Sequence, residues 1–202
     1  MVYPPLYILR HGQTVWNAEH RIQGSKDSPL TDKGRAQAEA QREILAAQDL
    51  TGFSAYTSPQ GRAMSTAQIA LRDFNLNLVQ DARLAEIGVG DWEGLRREDL
   101  VLSEPVDESE ESALDLYERA PGGEGFQALR ARCQAFLADL KGPSVLVTHG
   151  ITSRMLRLLA LDLDIADIGR VGGGQGVIYF VEGGKSMCLE VSSSLAGAQK
   201  AQ

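Results

Sequence analysis

Apolar positions along the chain fall into two kinds of pattern. Leu6-Tyr7-Ile8-Leu9, Phe53 to Thr57 and Ser144-Val145-Leu146-Val147-Thr148 are short, mostly apolar runs of a length suited to buried strands of a parallel sheet. Phe126, Leu129, Cys133, Phe136, Leu137 and Leu140 instead recur at steps of three and four and make one stripe of a helix. Cys133 on that stripe reads as a small core residue. Thr31 is a suitable N-cap for a helix reaching about Gln48, rich in Ala, Gln, Glu and Arg and interrupted only by Gly34. Another helix starts around Arg62 and runs to about Leu71, and a fourth carries Met155, Leu156, Leu158 and Leu159.

Strand and helix thus alternate along the chain. Asn77 to Ala82 adds a weakly alternating strand. Gly176 to Val181 and Ser186 to Val191 read as a hairpin turning through Glu182-Gly183-Gly184-Lys185. The pattern predicts one α/β domain over residues 1–191: a three-layer α/β/α sandwich with a mostly parallel sheet between helices and the hairpin at or near an edge. Residues 192–202 read as a flexible polar tail. Ser103 to Glu118, with seven acidic residues, reads as a solvated, mobile face. Gly172-Gly173-Gly174-Gln175-Gly176 lacks the Lys-Ser/Thr of a P-loop and opens no helix, so it carries little weight as a phosphate loop.

Composition narrows the chemistry. At 202 residues and 43% hydrophobic content the chain can bury a core without staples. A net charge of −7 disfavours a general nucleic-acid binder, although a local basic pocket is compatible with it. Cys133 and Cys188 have no metal-ligand spacing, and with three histidines in all no zinc site is expected. No apolar run approaches the roughly 20 residues of a membrane span, and the segment before the first loop is too short for a signal peptide. A cytoplasmic location, with no membrane or nucleic-acid partner, is the expectation; the pattern leaves the oligomeric state open.

Candidate chemistry sits where strands end. Arg10-His11-Gly12 follows the first strand, Ser58-Pro59-Gln60-Gly61-Arg62 the second, and His149-Gly150 the Ser144–Thr148 run, while Glu86 lies in a glycine-broken loop with Gly88, Gly90 and Gly94. In an open parallel sheet these loops emerge at one end, so Arg10, His11, Arg62, Glu86 and His149 can converge. An imidazole beside a guanidinium suits an anion better than a core. Two arginines, two imidazoles and a carboxylic acid meet the demands of phosphoryl transfer: charge neutralisation, an in-line nucleophile and a proton for the leaving oxygen.

Taken in order, Arg10-His11-Gly12-Gln13-Thr14 with Asn17, Arg21-x-Gln23-Gly24, Ser58-Pro59 with Arg62, Leu84-x-Glu86-Ile87 with Gly90-x-Trp92-Glu93-Gly94, and Val147-Thr148-His149-Gly150 resemble the histidine phosphatase superfamily, in its phosphoglycerate-mutase-like branch. The resemblance covers roughly residues 5 to 180. It implies that His11 is the nucleophile that becomes a phosphohistidine, that Glu86 is the proton donor and that Arg10, Arg62 and His149 clamp the phosphate. It further implies neutral donors from Asn17 and the Gly150 amide, a substrate-binding loop at Gln23 and Gly24, and neither metal nor cofactor. Trp92 reads as a loop anchor and His20 as surface. The expected ligand is a small phosphomonoester.

Two departures qualify that resemblance. Gly-Glu-Ser often precedes the long helix in the family, whereas Gly123-Glu124-Gly125 stands here, so that helix is expected to start loosely. The insertion of the dimeric glycolytic mutases is also missing, and Gly-Asp-Trp-Glu-Gly resembles the shorter phosphatases, including the broad-specificity and α-ribazole phosphatases. A mutase must keep water from its intermediate; without that cover hydrolysis is expected. The alternatives are a phosphoglycerate mutase and a non-catalytic module that binds a phosphorylated ligand.

Overall fold

The computed structural model describes residues 3–100 and 110–190. Six strands form one sheet in the order β3-β2-β4-β1-β5-β6: β1 (Leu6–Arg10), β2 (Ser54–Thr57), β3 (Leu78–Gln80), β4 (Ser144–Thr148), β5 (Ile178–Glu182) and β6 (Lys185–Leu189). The first four run parallel to one another, and β5 is antiparallel to β1 and to β6. The expected mixed, mostly parallel sheet is therefore present, with the hairpin forming one edge. Its turn is the pair Gly183-Gly184, both at positive φ, as a two-residue hairpin requires.

Alternation along the strands divides the core into two layers. Leu6, Ile8 and Leu146 face one side, with Phe126, Leu129 and Phe136 of α5 (Gly125–Asp139) and Met155 and Leu158 of α6 (Gly150–Ala160). Tyr7, Leu9, Val145 and Val147 face the other, against Ile44 and Leu45 of α2 (Asp32–Ala46) and Ala63 and Ala67 of α3 (Gly61–Ala70). The short α1 spans Val15–Ala18. Trp92 is buried in the first layer, as expected of a loop anchor. Cys133 lies there too, where burial pushes its thiol up to about 12 and leaves it inert at neutral pH.

Three expectations change. The acidic stretch is not all mobile: α4 (Glu110–Arg119) covers its second half, with Leu114 and Leu116 buried. Tyr117 packs against the same core layer; residues 101–109 and the 191–202 tail lie outside the described residues. The start of α5 is not loose, because Glu118 of α4 accepts its Phe126 amide at 2.5 Å. Glu124 meanwhile pairs with Arg132 and accepts the Gly88 amide. The third strand shrinks to the three residues of β3, at the other edge of the sheet.

Glycine at position 34, unfavourable for a helix, has a packing cause. A Cβ on Gly34 would stand 2.0 Å from Gln13 O, and one on Gly12 would stand 2.1 Å from Gly34 O. The loop after β1 therefore lies directly on the first turn of α2. Helix α2 also ties that loop down through polar side chains: Gln41 Nε2 donates to Arg10 O at 2.9 Å, and Gln37 Oε1 accepts the Gln13 amide at 2.7 Å.

Candidate active site

The loops after β1, β2 and β4 open at one end of the sheet, as parallel strands require, and surround a cavity of about 130 Å³. Arg10, His11, Asn17, Gln23, Arg62 and Glu86 line it. His11 is 3% exposed, and its Nδ1 lies 2.7 Å from Gly12 O. A carbonyl can only accept, so Nδ1 carries the proton and the Nε2 lone pair is free. Burial, then Arg10 and Arg62, hold the His11 imidazole well below its ordinary value, so the ring is neutral at neutral pH. That is the state a nucleophile needs.

Arg10 is half-buried, and its Nε, itself buried, has no hydrogen-bond partner among the described residues. Burial lowers its affinity for the proton, with Glu86 acting in the opposite sense. A desolvated guanidinium with an unfilled donor on a cavity wall is a preformed anion site. Gly150 makes room for it, since a Cβ there would sit 3.3 Å from Arg10 Cζ.

Arg62, 1% exposed, is more committed. Nε donates to His149 Nδ1 at 3.2 Å, Nη1 to Lys26 O and Asp27 Oδ1, and Nη2 to Gly24 O at 3.0 Å, leaving one Nη2 hydrogen uncommitted. Arginine has no acceptor, so His149 Nδ1 is bare and its Nε2 proton points to Ser58 Oγ at 2.7 Å. Burial, then Arg62, keep this imidazole neutral as well. His149 lies just beneath the cavity, its ring centroid 5.1 Å from that of His11.

Glu86 is oriented by the start of α6. Oε1 accepts the amides of Ile87 and Thr152, each at 3.1 Å, and Oε2 accepts that of Ile151 at 3.2 Å. The Gly150 amide is engaged in none of the hydrogen bonds among the described residues. Gln60 ties Glu86 to the 24–25 loop: its Oε1 accepts the Glu86 amide and its Nε2 donates to Gly24 O and Ser25 O. Glu93 is bound to Ser25, at the amide and the hydroxyl.

The expected residues thus come together, with two differences of detail. Gly24 stands behind the cavity wall, its carbonyl turned to Arg62 and Gln60. His20, at positive φ, is exposed as expected but lies on the cavity rim. Sequence reasoning did not find Ser58 or Gln60 as partners of His149 and Glu86, nor the Arg97-Tyr117 pair on the rim, joined at 2.9 Å. Ser58 and Gln60 lie in the Ser58-Pro59-Gln60-Gly61-Arg62 loop, and Tyr117 lies in the acidic stretch. Among the described residues no cluster of His, Cys, Asp or Glu could hold a metal ion, and no helix is long and apolar enough to cross a membrane.

The family model of the histidine phosphatase superfamily (branch 1) matches residues 6–189. The chain belongs to the histidine phosphatase superfamily. This member of the superfamily is 40% identical over 156 residues to a probable phosphoglycerate mutase GpmB of Enterobacter sp. (strain 638), covering 72% of this chain and 69% of that protein. The structure of mycobacterial glucosyl-3-phosphoglycerate phosphatase Rv2419c with VO3 is similar at a TM-score of 0.77 and 30% identity, covering 94% of this chain and 98% of the other. YhfR of Bacillus stearothermophilus is similar at a TM-score of 0.75 and 31% identity, covering 93% and 96%. The superfamily member described here is accordingly an enzyme with the fold and strand-end loops of phosphatases.

Proposed function

We propose that the chain, over residues 1–191, is a metal-independent phosphomonoester hydrolase acting on a small phosphorylated metabolite through a phosphohistidine at His11. One observation carries this reading: a neutral His11 whose Nε2 belongs to a cavity shared with Glu86 and with Arg10, whose Nε has no partner among the described residues. Nε2 attacks phosphorus, the bond from phosphorus to the ester oxygen breaks, and Glu86 gives its proton to the departing alcohol. A water then passes a proton back to Glu86 and displaces the imidazole, releasing inorganic phosphate.

Charge on the phosphoryl oxygens is met by Arg10, the remaining Nη2 hydrogen of Arg62, the Asn17 amide and the Gly150 amide. His149 contributes its Nε2 proton in place of its bond to Ser58. Gln23 and Gly24 shape the loop beside the leaving group. The test is phosphate release from p-nitrophenyl phosphate, 3-phosphoglycerate and α-ribazole phosphate, with EDTA throughout. Release should vanish in His11→Ala and fall by about 10²-fold in Glu86→Gln; turnover retained by His11→Ala would remove the mechanism.

The 40% identity to a probable phosphoglycerate mutase favours a second reading, an isomerase. It predicts that 3-phosphoglycerate incubated with a bisphosphorylated primer keeps its phosphate and changes only its position. Hydrolysis predicts free phosphate instead.

A further inference from the structure

The glycine-rich stretch 172–176 touches the phosphate cavity only indirectly, through Gln175. Its Nε2 donates to Asn17 Oδ1 at 3.1 Å, across 158 residues of sequence. The same Oδ1 accepts the Thr14 amide at 3.1 Å, and Thr14 Oγ1 accepts the Asn17 amide at 3.2 Å in return, a reciprocal cap of α1. Both hydrogen bonds to the Asn17 side chain thus fall on its oxygen. Two N–H donors on one oxygen leave a single orientation of the amide, with Nδ2 as the group offered to the cavity that Asn17 lines.

Gln175 is itself held from both faces of the sheet. Arg157 of α6 donates to Gly172 O at 2.6 Å, and Arg154 donates to Val171 O. A Cβ on Gly173 would approach Arg154 Nη2 to 2.6 Å, so glycine lets the loop lie on that guanidinium. On the other face Gln41 Nε2 donates both to Val177 O and to Arg10 O, fastening the end of this loop and the start of the catalytic loop with one amide. The stretch is a brace whose tip is the Gln175 amide.

We infer that Gln175 is a positioning residue: it fixes the Asn17 amide so that Nδ2, a donor, and not Oδ1, an acceptor, meets the bound phosphate. This rests on the proposed reading of the cavity as a phosphate site. A carboxylate at position 175 cannot donate when ionised, so it forces a choice. Either Oδ1 faces a negative charge, or the amide turns over, loses the Thr14 bond and presents oxygen to the phosphate.

The experiment measures binding of inorganic phosphate by calorimetry, together with KM and kcat on p-nitrophenyl phosphate. The proteins are the native chain, Gln175→Ala, Gln175→Glu, Asn17→Ala, both double variants and His11→Ala, each with its melting temperature. Gln175→Glu should weaken phosphate binding and raise KM by about tenfold, the scale of one charge-assisted hydrogen bond. Gln175→Ala should do so by less, since Thr14 still holds the amide. The Gln175→Glu defect should shrink as pH falls towards about 4.3, where the new carboxyl takes up a proton and can donate. Neither change at position 175 should matter further once Asn17 is alanine.

Gln175 variants that bind phosphate like the native chain, while Asn17→Ala does not, overturn the inference and leave the phosphate site standing. Equal losses with and without Asn17 overturn it too, because the loop then acts by another route. Asn17→Ala binding as tightly as the native chain overturns it by removing the ligand that is positioned. A native chain that binds no phosphate, with turnover unaffected in His11→Ala, sinks the reading of the cavity and the inference together.

Discussion

At the scale of single residues, the site is defined by which polar atoms are already committed. Arg62 and His149 hold each other and the 24–27 loop, whereas Arg10 Nε and His11 Nε2 have no partner among the described residues. In the proposed mechanism these are the two groups an incoming phosphate meets. Because burial beside two arginines depresses His11, the free enzyme keeps this proposed nucleophile unprotonated below the ordinary imidazole value of about 6.5. The acidic limb of kcat/KM should therefore lie below pH 6.5. A limb at or above that value, measured on a substrate whose own phosphate does not titrate there, would contradict the neutral buried ring.

Residues at or shortly after strand ends were legible in the sequence, since a short apolar run marks both the strand and the point where its loop begins. Arg10, His11, Arg62 and His149 could be placed on that ground. Ser58, Gln60 and Gln175 could not be assigned roles, because their partners lie 91, 26 and 158 positions away and nothing local marks such a contact.

At the scale of elements, helix α2 shows how propensity yields to packing. Replacing a helical glycine by alanine ordinarily stabilises by roughly 0.5–1 kcal/mol. At Gly34 the added Cβ would stand 2.0 Å from Gln13 O, a backbone atom of the catalytic loop that cannot rotate away. Overpacking of this kind costs about 1–3 kcal/mol, so the clash outweighs the propensity gain. Gly34→Ala should lower the denaturation midpoint and reduce turnover together. A more stable and fully active variant would mean that the loop does not lie on α2 in solution. Helix α4 makes the converse point: its acidic sequence concealed Leu114 and Leu116, which bury themselves in the core.

At the scale of the whole molecule, two buried neutral imidazoles make stability depend on pH. The unfolded chain protonates both near pH 6.5, whereas the folded chain does so only well below it. Between those values the unfolded state binds more protons, so stability is complete above about pH 6.5 and declines as pH falls. The limiting slope is about 1.4 kcal/mol per pH unit for each imidazole. Denaturant midpoints at pH 7.5 and 5.5 should show the decline, and His11→Ala should make it shallower. Midpoints that do not move would place both rings in contact with water.

Strand β1 lies inside the sheet, paired with β4 on one side and β5 on the other. Those partners begin at Ser144 and Ile178, so β1 is synthesised long before either neighbour exists. Until then Leu6 to Leu9 is an apolar segment with two open edges, the kind of nascent sequence that chaperones bind and that drives aggregation when synthesis is cut short. His11 leaves the ribosome well ahead of the two strands that fix its place.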